Sequence, residues 1–262
     1  MTKETKHAKK ERAWAFYLRM HARYKNQDPH LYYYDPFSLT IAVLLSAQTT
    51  DAAVNKVTKE LFRRWPTPQS MAKADVSDVA EVIRSIGFWR MKSKHCVEAA
   101  QMIVRDFGGQ VPARMEDLTR LPGVGRKTAN IVLNRGFHHA VGIAVDTHVF
   151  RIAKRLGFSD ATTPLACEQD LLHLLPQECW THVNDEWIRF GRDTCRAQRP
   201  LCTSCCARDL CPSYTDTDTK DARKSKGSKI TEADKSGRNS KSNKSSAHSS
   251  SSRSTSKKAK QN

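Results

Sequence analysis

The stretch LPGVGRKTAN, residues 121–130, joins two apolar segments that are compatible with helices, residues 115–121 and 127–137. Two glycines in this stretch flank Val124, and glycine tolerates the positive φ angle that a tight turn needs. The pattern therefore predicts a helix, a tight hairpin and a second helix. Apolar residues recur at helical spacing on both sides of it, and no segment alternates as a strand would. The chain is therefore predicted to be all-α.

The hairpin formed by Gly123, Val124 and Gly125 predicts a contact with the phosphate backbone of nucleic acid. The first turn of its second helix presents backbone N–H groups that have no partner within the helix, and the helix dipole favours negative charge there. Such groups bind phosphate without reading the bases. The alternative is an ordinary turn between two packed helices, because glycine marks many such turns.

Lys127 and Asp146 are the candidate catalytic residues. An amine can attack an electrophilic sugar carbon and become a Schiff base if enough of it is neutral. A carboxylate nearby can accept the proton and stabilise positive charge on the sugar. Taken singly, Lys127 would be a phosphate contact and Asp146 the N-cap of a helix over residues 147–156. Beside a phosphate-binding turn, the presence of both residues adds weight to the catalytic interpretation.

The composition predicts a polyanionic partner. The formal net charge is +17 and the pI is near 9.7, which makes nucleic acid the obvious partner and an acidic membrane the alternative. No apolar run approaches the roughly 18 residues of a membrane span, and the lysine-rich start has no apolar core typical of a secretion signal. We expect an intracellular protein with reduced thiols.

Four cysteines have the spacing Cys195-x6-Cys202-x2-Cys205-x5-Cys211 in a stretch rich in loop-forming residues. Thiolates gathered so closely can converge on one zinc ion or on one iron–sulfur cluster, and four sulfurs suit both. Disulfides are the alternative, which the expected compartment disfavours. Cys206 could replace Cys205 as a ligand. The other three cysteines are predicted to be small buried residues: Cys96, Cys167 and Cys179.

These motifs, with LLSAQTTD at 44–51 and VDTHVFRIAKRLG at 145–157, resemble the endonuclease III family of DNA repair glycosylases. The match keeps all landmarks in order from about Trp14 to Pro212. The resemblance implies two helical domains with a cleft between them, a helix-hairpin-helix motif and a C-terminal loop that binds a [4Fe–4S] cluster. The unequal cysteine spacing is that of the family, which favours Cys205 over Cys206 as a cluster ligand.

The expected organisation has four parts. A basic flexible arm spans residues 1–12, and a six-helix domain with the hairpin spans residues 29–139. The helical iron–sulfur domain combines residues 13–28 with 140–212. From Ser213 to the end the chain is rich in Ser and Lys and almost free of apolar residues, so we expect a disordered basic tail over 213–262.

The resemblance also implies roles for two DNA-contacting side chains. By itself, Gln48 would be a solvated loop amide. In similar enzymes the glutamine of this motif enters the base stack and fills the gap left by an extruded nucleotide. Phe88 is a candidate wedge between base steps, although an aromatic residue at a helix junction is more often part of the core. The family usually has an aliphatic residue there. The hairpin residues Gly123, Val124 and Gly125 complete the expected DNA contacts.

The predicted function is that of a bifunctional base excision repair enzyme. It would remove oxidised pyrimidines through Lys127 and then cleave the abasic site by β-elimination. The alternatives are a monofunctional adenine or alkylbase glycosylase of the same superfamily, in which another residue generally replaces this lysine, and a non-enzymatic helix-hairpin-helix DNA-binding module. We expect a monomer that acts on double-stranded DNA with damaged pyrimidines or abasic sites. It would not bind membranes and would be cytoplasmic and nucleoid-associated in a bacterium, or otherwise intracellular.

Overall fold

The structure, a computed structural model, describes residues 4–214, and these residues are helical without any strand. The prediction of an all-α chain is confirmed for this part. Its eleven α-helices are α1 Lys6–Tyr24, α2 Pro36–Leu45, α3 Asp51–Arg64, α4 Pro68–Ala72, α5 Val76–Ile83, α6 Trp89–Phe107, α7 Met115–Leu118, α8 Arg126–Ile131, α9 Thr147–Arg155, α10 Pro164–Leu174 and α11 Trp180–Asp193. A π-helical turn, Val132–Gly136, extends α8, and 3₁₀ turns occur at Gln177–Cys179, Cys202–Ser204 and Arg208–Leu210.

The N-terminal helix begins earlier than expected, so the prediction of a flexible arm through residue 12 is wrong for residues 6–12. The Thr5 hydroxyl caps α1 by accepting the Ala8 N–H. Arg12 then ties this basic segment to the rest of the protein, because its guanidinium donates to the Leu156 and Leu210 carbonyls at 2.7 and 3.0 Å. Residues 1–3 lie outside the described part. The early start therefore depends on a local cap and on long-range hydrogen bonds rather than on apolar periodicity.

The first predicted domain contains seven helices where six were expected. The additional helix is α4, whose N-terminus is fixed by reciprocal hydrogen bonds between Thr67 and Ser70. Its five residues are too few to show an apolar period. At α3 the N-cap is Thr50, which accepts the Ala53 N–H, and Asp51 is the first residue of the helix.

Two hydrophobic cores organise the described residues. The first surrounds α2, in which every residue from Phe37 to Leu45 is buried, as its apolar sequence predicts. The second lies between α1, α9, α10 and α11, where the rings of Phe16 and Trp187 meet edge to face with centroids 5.1 Å apart. Burial of large side chains such as these contributes about 1.5–3 kcal/mol each. The proposed domain boundaries stay predictions.

An ion pair between an exposed arginine and a buried glutamate links the two cores beside the hairpin. The Arg126 guanidinium donates to both carboxylate oxygens of Glu168, at 2.8 and 3.1 Å, and Asn130 donates to the same carboxylate at 2.9 Å. Glu168 is 3% exposed. A bidentate pair of this kind has a fixed geometry. It therefore holds the start of α8 against α10.

The end of the described chain packs onto the second core. The Ser213 hydroxyl donates to the Arg155 carbonyl at 2.6 Å, and the Tyr214 N–H donates to the Cys211 carbonyl at 3.0 Å. The rest of the predicted tail, residues 215–262, lies outside the described residues. No helix within residues 4–214 combines the length and the apolar content needed to cross a lipid bilayer.

Candidate functional site

An open cavity of about 680 Å³ lies between segments that belong to the two cores. Its volume falls in the range of about 300–1,000 Å³ that is typical of ligand pockets. The structure brings three of the predicted site residues together in its lining. The polar residues that line it include Gln48, Asp51, Lys127, Asp146, His148, Asn184 and Arg192.

Lys127 is the second residue of α8 and its side chain is exposed at the cavity. The residue before α8, Gly125, has extended backbone and no side chain, so no side-chain cap covers the N–H groups of the first turn. Arg126 is held on Glu168. Lys127 is therefore the cation of this turn that reaches the cavity.

Asp146 occupies the N-cap position of α9, as the sequence predicts, and it also lines the cavity. Its Oδ1 accepts the N–H groups of His148 and Val149, both at 2.9 Å. Within residues 4–214 its Oδ2 makes no hydrogen bond. One oxygen therefore orients the carboxylate while the other stays available to a ligand or a proton.

His148 lines the cavity with an uncharged imidazole ring. Burial lowers its pKa; the positive charges of Arg151, Arg192 and Lys127 lower it further, while Asp146 opposes the shift. The guanidinium of Arg151 donates to His148 Nδ1 at 3.2 Å, which makes this nitrogen the acceptor and leaves the ring proton on Nε2. His148 therefore contributes no positive charge at neutral pH.

The hairpin has the geometry that its glycines predict. Gly123 has a φ of +77°, and a side chain there would place its Cβ 2.8 Å from His95 Nδ1 and 3.0 Å from Leu44 Cδ1. Glycine is therefore required both by the backbone and by the space. Val124 is 4% exposed, and its N–H donates to the Leu121 carbonyl at 3.0 Å. The turn is thus anchored in the first core.

Gln48 is exposed at the tip of the turn after α2 and has a φ of +52°. A side chain in this left-handed region costs about 1–2 kcal/mol relative to ordinary helical backbone. The turn is held by Lys92, which is 4% exposed and which no sequence motif had singled out. Its ammonium donates to the Leu45 and Ala47 carbonyls and to the Thr49 hydroxyl, at 2.8, 2.7 and 2.8 Å. The signal in the sequence is a lysine on the apolar face of α6, one turn before Cys96.

Phe88 is exposed, which excludes its assignment to the core. It is 57% exposed and occupies the N-cap position of α6, with a φ of +59°. A groove of about 220 Å³ runs from Phe88 past Gln48 to Gly123. Gln48 lines both this groove and the larger cavity. The structure therefore places an exposed aromatic ring, an exposed amide and the hairpin along one edge of the site.

An ion pair closes one wall of the cavity. Arg192 of α11 donates to the Asp51 carboxylate at 2.8 Å, and both residues line the cavity. Asp51 is therefore a cavity residue that joins the first core to α11 rather than a helix cap.

The four predicted metal-ligating cysteines line a second, smaller cavity of about 120 Å³. They are Cys195, Cys202, Cys205 and Cys211, each of which is half-buried. Cys206 is exposed and lies outside this lining, in agreement with the family spacing. Burial raises the pKa of the Cys205 and Cys211 thiols. All eight cysteines lie in the described residues and none is in a disulfide, and the three predicted to be buried are buried.

Arginine side chains hold the backbone of this cysteine loop. Arg155 donates to the Cys195 sulfur at 3.4 Å and to the Arg196 carbonyl at 2.6 Å. Arg19 pairs with Asp209 at 2.8 Å. The Ala207 N–H also donates to the Cys205 sulfur at 3.4 Å. Such hydrogen bonds to sulfur favour thiolates and orient metal ligands.

The chain matches a known class of DNA repair proteins. The model of the HhH-GPD superfamily of base excision DNA repair proteins matches residues 41–177, just over half of the chain. Endonuclease III of Synechocystis sp. is 45% identical over 206 residues, which cover 79% of this chain and 94% of that protein. The chain belongs to the endonuclease III family.

Two solved structures are similar to this fold. A non-covalent endonuclease III–DNA complex matches with a TM-score of 0.74 and 39% identity, over 82% of this chain and 98% of that one. A trapped covalent endonuclease III–DNA intermediate matches with a TM-score of 0.73 and 40% identity, over 78% and 96% of the two chains.

Proposed function

We propose that this protein is a bifunctional base excision repair enzyme, a DNA glycosylase that also cleaves abasic sites. The observation that carries the proposal is the meeting of Gln48, Lys127 and Asp146, from three separate elements, in one open cavity. The family relationship supports it, as does the similarity to endonuclease III held in a covalent intermediate with DNA. Acting on DNA, the enzyme would be intracellular.

Lys127 would be the nucleophile of the first step. The neutral amine attacks C1′ of the damaged nucleotide, the bond from C1′ to the base breaks, and the base leaves with the bonding electron pair and takes up a proton. Asp146 accepts the proton that the lysine nitrogen loses and stabilises positive charge on the sugar. Opening of the sugar ring then gives a Schiff base between Nζ and C1′.

The same Schiff base would drive strand cleavage. The iminium draws electrons from C2′, so that a base in the cavity can remove the C2′ proton. The electron pair of that C–H bond forms the C2′–C3′ double bond while the C3′–O bond breaks, and the 3′ phosphate leaves with its electron pair. Water then hydrolyses the imine and frees Lys127.

The edge of the site would handle the DNA duplex. A base must leave the stack before Lys127 can reach its sugar, and damaged bases that stack poorly leave at lower cost. This favours oxidised or ring-saturated pyrimidines such as thymine glycol. Gln48 would fill the vacated space and Phe88 would enter between base steps. The N–H groups of Gly123 and Gly125 would bind phosphate, whereas the N–H of Val124 is already bonded to the Leu121 carbonyl.

We also propose that Cys195, Cys202, Cys205 and Cys211 hold a [4Fe–4S] cluster. The fit rests on four sulfurs around one cavity, with hydrogen bonds to two of them. When bound, the cluster would cross-link the four thiolates and make the loop rigid. Arg12, Arg19 and Arg155 hold that loop against the second core.

Borohydride trapping tests the proposed nucleophile. With a thymine glycol duplex, borohydride should reduce the imine and leave a covalent protein–DNA adduct. Lys127→Gln should abolish the adduct and the cleavage while it keeps DNA binding. Lys154→Gln, on the exposed face of α9, is the matched control and should behave like the wild type. A Lys127→Gln protein that still cuts abasic DNA at the normal rate would refute the assignment of the nucleophile. A wild-type protein that binds the thymine glycol duplex but excises no base would indicate a non-enzymatic DNA-binding module.

A further inference from the structure

Three side chains that could bind a metal ion lie together on packed faces of α1 and α11. They are His21 of α1 and His182 and Glu186 of α11, and one ligand atom from each lies within 4.8 Å of the other two. His182 and Glu186 are four residues apart on one helix, so they share a face. None of the three lines the cavity of Lys127 or the cysteine cavity.

The carboxylate of this cluster is buried and only partly satisfied. Glu186 is 2% exposed. Its Oε1 lies 2.6 Å from His21 Nδ1, whereas its Oε2 has no hydrogen-bond partner within residues 4–214. A buried carboxylate oxygen without a partner costs free energy, because it has lost water and gained nothing in return. A cation next to this carboxylate would remove the cost.

We propose that His21, His182 and Glu186 bind a divalent transition-metal ion of the zinc type. Two imidazoles and one carboxylate form a donor set that zinc accepts, with water as the fourth ligand, whereas magnesium and calcium prefer oxygen ligands alone. Tetrahedral zinc holds its ligand atoms roughly 3.4 Å apart, so a pair of ligand atoms at the 4.8 Å limit must approach by about 1.4 Å. His21 Nδ1 and Glu186 Oε1, which are 2.6 Å apart, must separate by about 0.8 Å if both bind the metal. His182 is exposed and its ring can rotate toward the other two.

A metal at this point would fasten the two helices that support the cysteine loop. α1 holds the loop through Arg12, which donates to the Leu210 carbonyl at 3.0 Å, and through Arg19, which pairs with Asp209. α11 runs directly into Cys195. Since the metal binds the folded form, it should raise the resistance of the protein to thermal unfolding.

The experiment measures zinc binding by the full-length protein, with iron and zinc both counted by mass spectrometry. His182→Ala removes the exposed ligand and leaves the core untouched. His173→Ala, an exposed histidine of α10 outside the cluster, is the matched control. Glu186→Gln is a second variant that keeps the buried volume. The wild type and the control should each bind one zinc ion more than His182→Ala. The affinity of His182→Ala for zinc should be lower than that of the wild type by more than about tenfold. A loss of this size is typical even when only the hydrogen-bond partner of a metal ligand is removed.

Thermal unfolding provides the second readout. Zinc should raise the unfolding midpoint of the wild type and of His173→Ala but not that of His182→Ala, and magnesium should leave all three unchanged. Zinc that entered the cysteine cavity would remain bound in His182→Ala, so it cannot imitate the expected difference. Equal zinc binding by the wild type and His182→Ala would overturn the proposal and would leave His21 and Glu186 as an ordinary ion pair. If Glu186→Gln does not fold, the His182 variant still decides the outcome.

Discussion

Lys92→Met should weaken the enzyme at the edge of its site, because Lys92 holds the turn that presents Gln48. Its ammonium is the common donor to two carbonyls and one hydroxyl on either side of Gln48, at 2.7–2.8 Å. The methionine side chain has nearly the same length as that of lysine, but it is uncharged and cannot donate a hydrogen bond. The substitution therefore removes the three hydrogen bonds and leaves the packing of α6 intact.

The expected cost to folding is modest. The Leu45 carbonyl belongs to a fully buried residue and stays unsatisfied, which costs about 1–3 kcal/mol. The other two oxygens belong to Ala47 and Thr49, which are exposed and half-exposed and can recover water. Burial lowers the pKa of Lys92, so its ammonium bears a desolvation penalty that methionine avoids. The loss should therefore lie nearer about 1 than 3 kcal/mol, a fall of roughly 2–4 °C in Tm for a chain of this size.

The effect on DNA should exceed the effect on folding. A duplex that carries a fluorescent base analogue opposite the lesion reports whether the partner base has been unstacked. Lys92→Met should reduce this signal and the single-turnover excision rate as far as Gln48→Ala does. Lys94→Met, an exposed lysine on the same helix, is the matched control and should alter neither. Lys92→Arg should restore part of the signal, because it can still donate to the turn.

A double-mutant cycle tests the coupling directly. If Lys92 acts through Gln48, the double variant should lose no more excision rate than Gln48→Ala alone. Fully additive losses in excision rate would refute the reasoning, since Lys92 would then act on DNA by another route.

Two further predictions concern the cavity wall. Asp146→Asn should keep the N-cap of α9, because asparagine caps helices as well as aspartate does, and it should lower the excision rate about 10²–10⁴-fold by removing a proton acceptor. Asp146→Ala should in addition cost about 1 kcal/mol of stability in thermal unfolding, and a wild-type rate in the asparagine variant would contradict the proposed role. Burial lowers the pKa of His148 in the folded protein. The unfolded chain therefore binds a proton at this imidazole more readily than the folded protein does. The free energy of unfolding should fall as the pH drops below about 6.5, the ordinary pKa of histidine, and on through the lowered pKa. His148→Gln should flatten that fall in urea unfolding at a series of pH values, and an unchanged slope would argue against it.

The parts of the fold that the sequence predicted are those with a local cause. The apolar run of α2 predicts burial on all sides, and every residue from Phe37 to Leu45 is buried. The two glycines around Val124 predict the hairpin. An aspartate just before a helical pattern favours an N-cap, and Asp75 caps α5 by accepting the Ser77 N–H at 2.7 Å. Each of these features depends on a few neighbouring residues, so it can be read without knowing the rest of the chain.

The parts that escaped prediction depend on distant partners. Residues 6–12 carry no apolar period, yet they are helical, and Arg12 reaches the Leu156 and Leu210 carbonyls. The helix after the hairpin widens into a π-helical turn at Val132–Gly136, where buried Asn134 donates to the Gly142 carbonyl at 3.1 Å. The meeting of Lys127 and Asp146 in one cavity is likewise a long-range fact, which the family resemblance implied and local pattern alone did not.

Three departures from local rules converge on one edge of the site, and their coincidence argues for function. Lys92 places a charge on the apolar face of α6, and Gln48 and Phe88 are two of the four non-glycine residues with positive φ in the described part. Each left-handed residue costs about 1–2 kcal/mol, and the buried ammonium adds a desolvation cost. Packing alone would favour glycine at both turns and an apolar residue at 92. The same three residues border the groove that leads from the hairpin to the cavity of Lys127. The strained backbone at Gln48 and Phe88 and the buried charge of Lys92 therefore lie at the edge where DNA would enter. They do not add to stability, but they hold an amide and an aromatic ring outward before any duplex arrives.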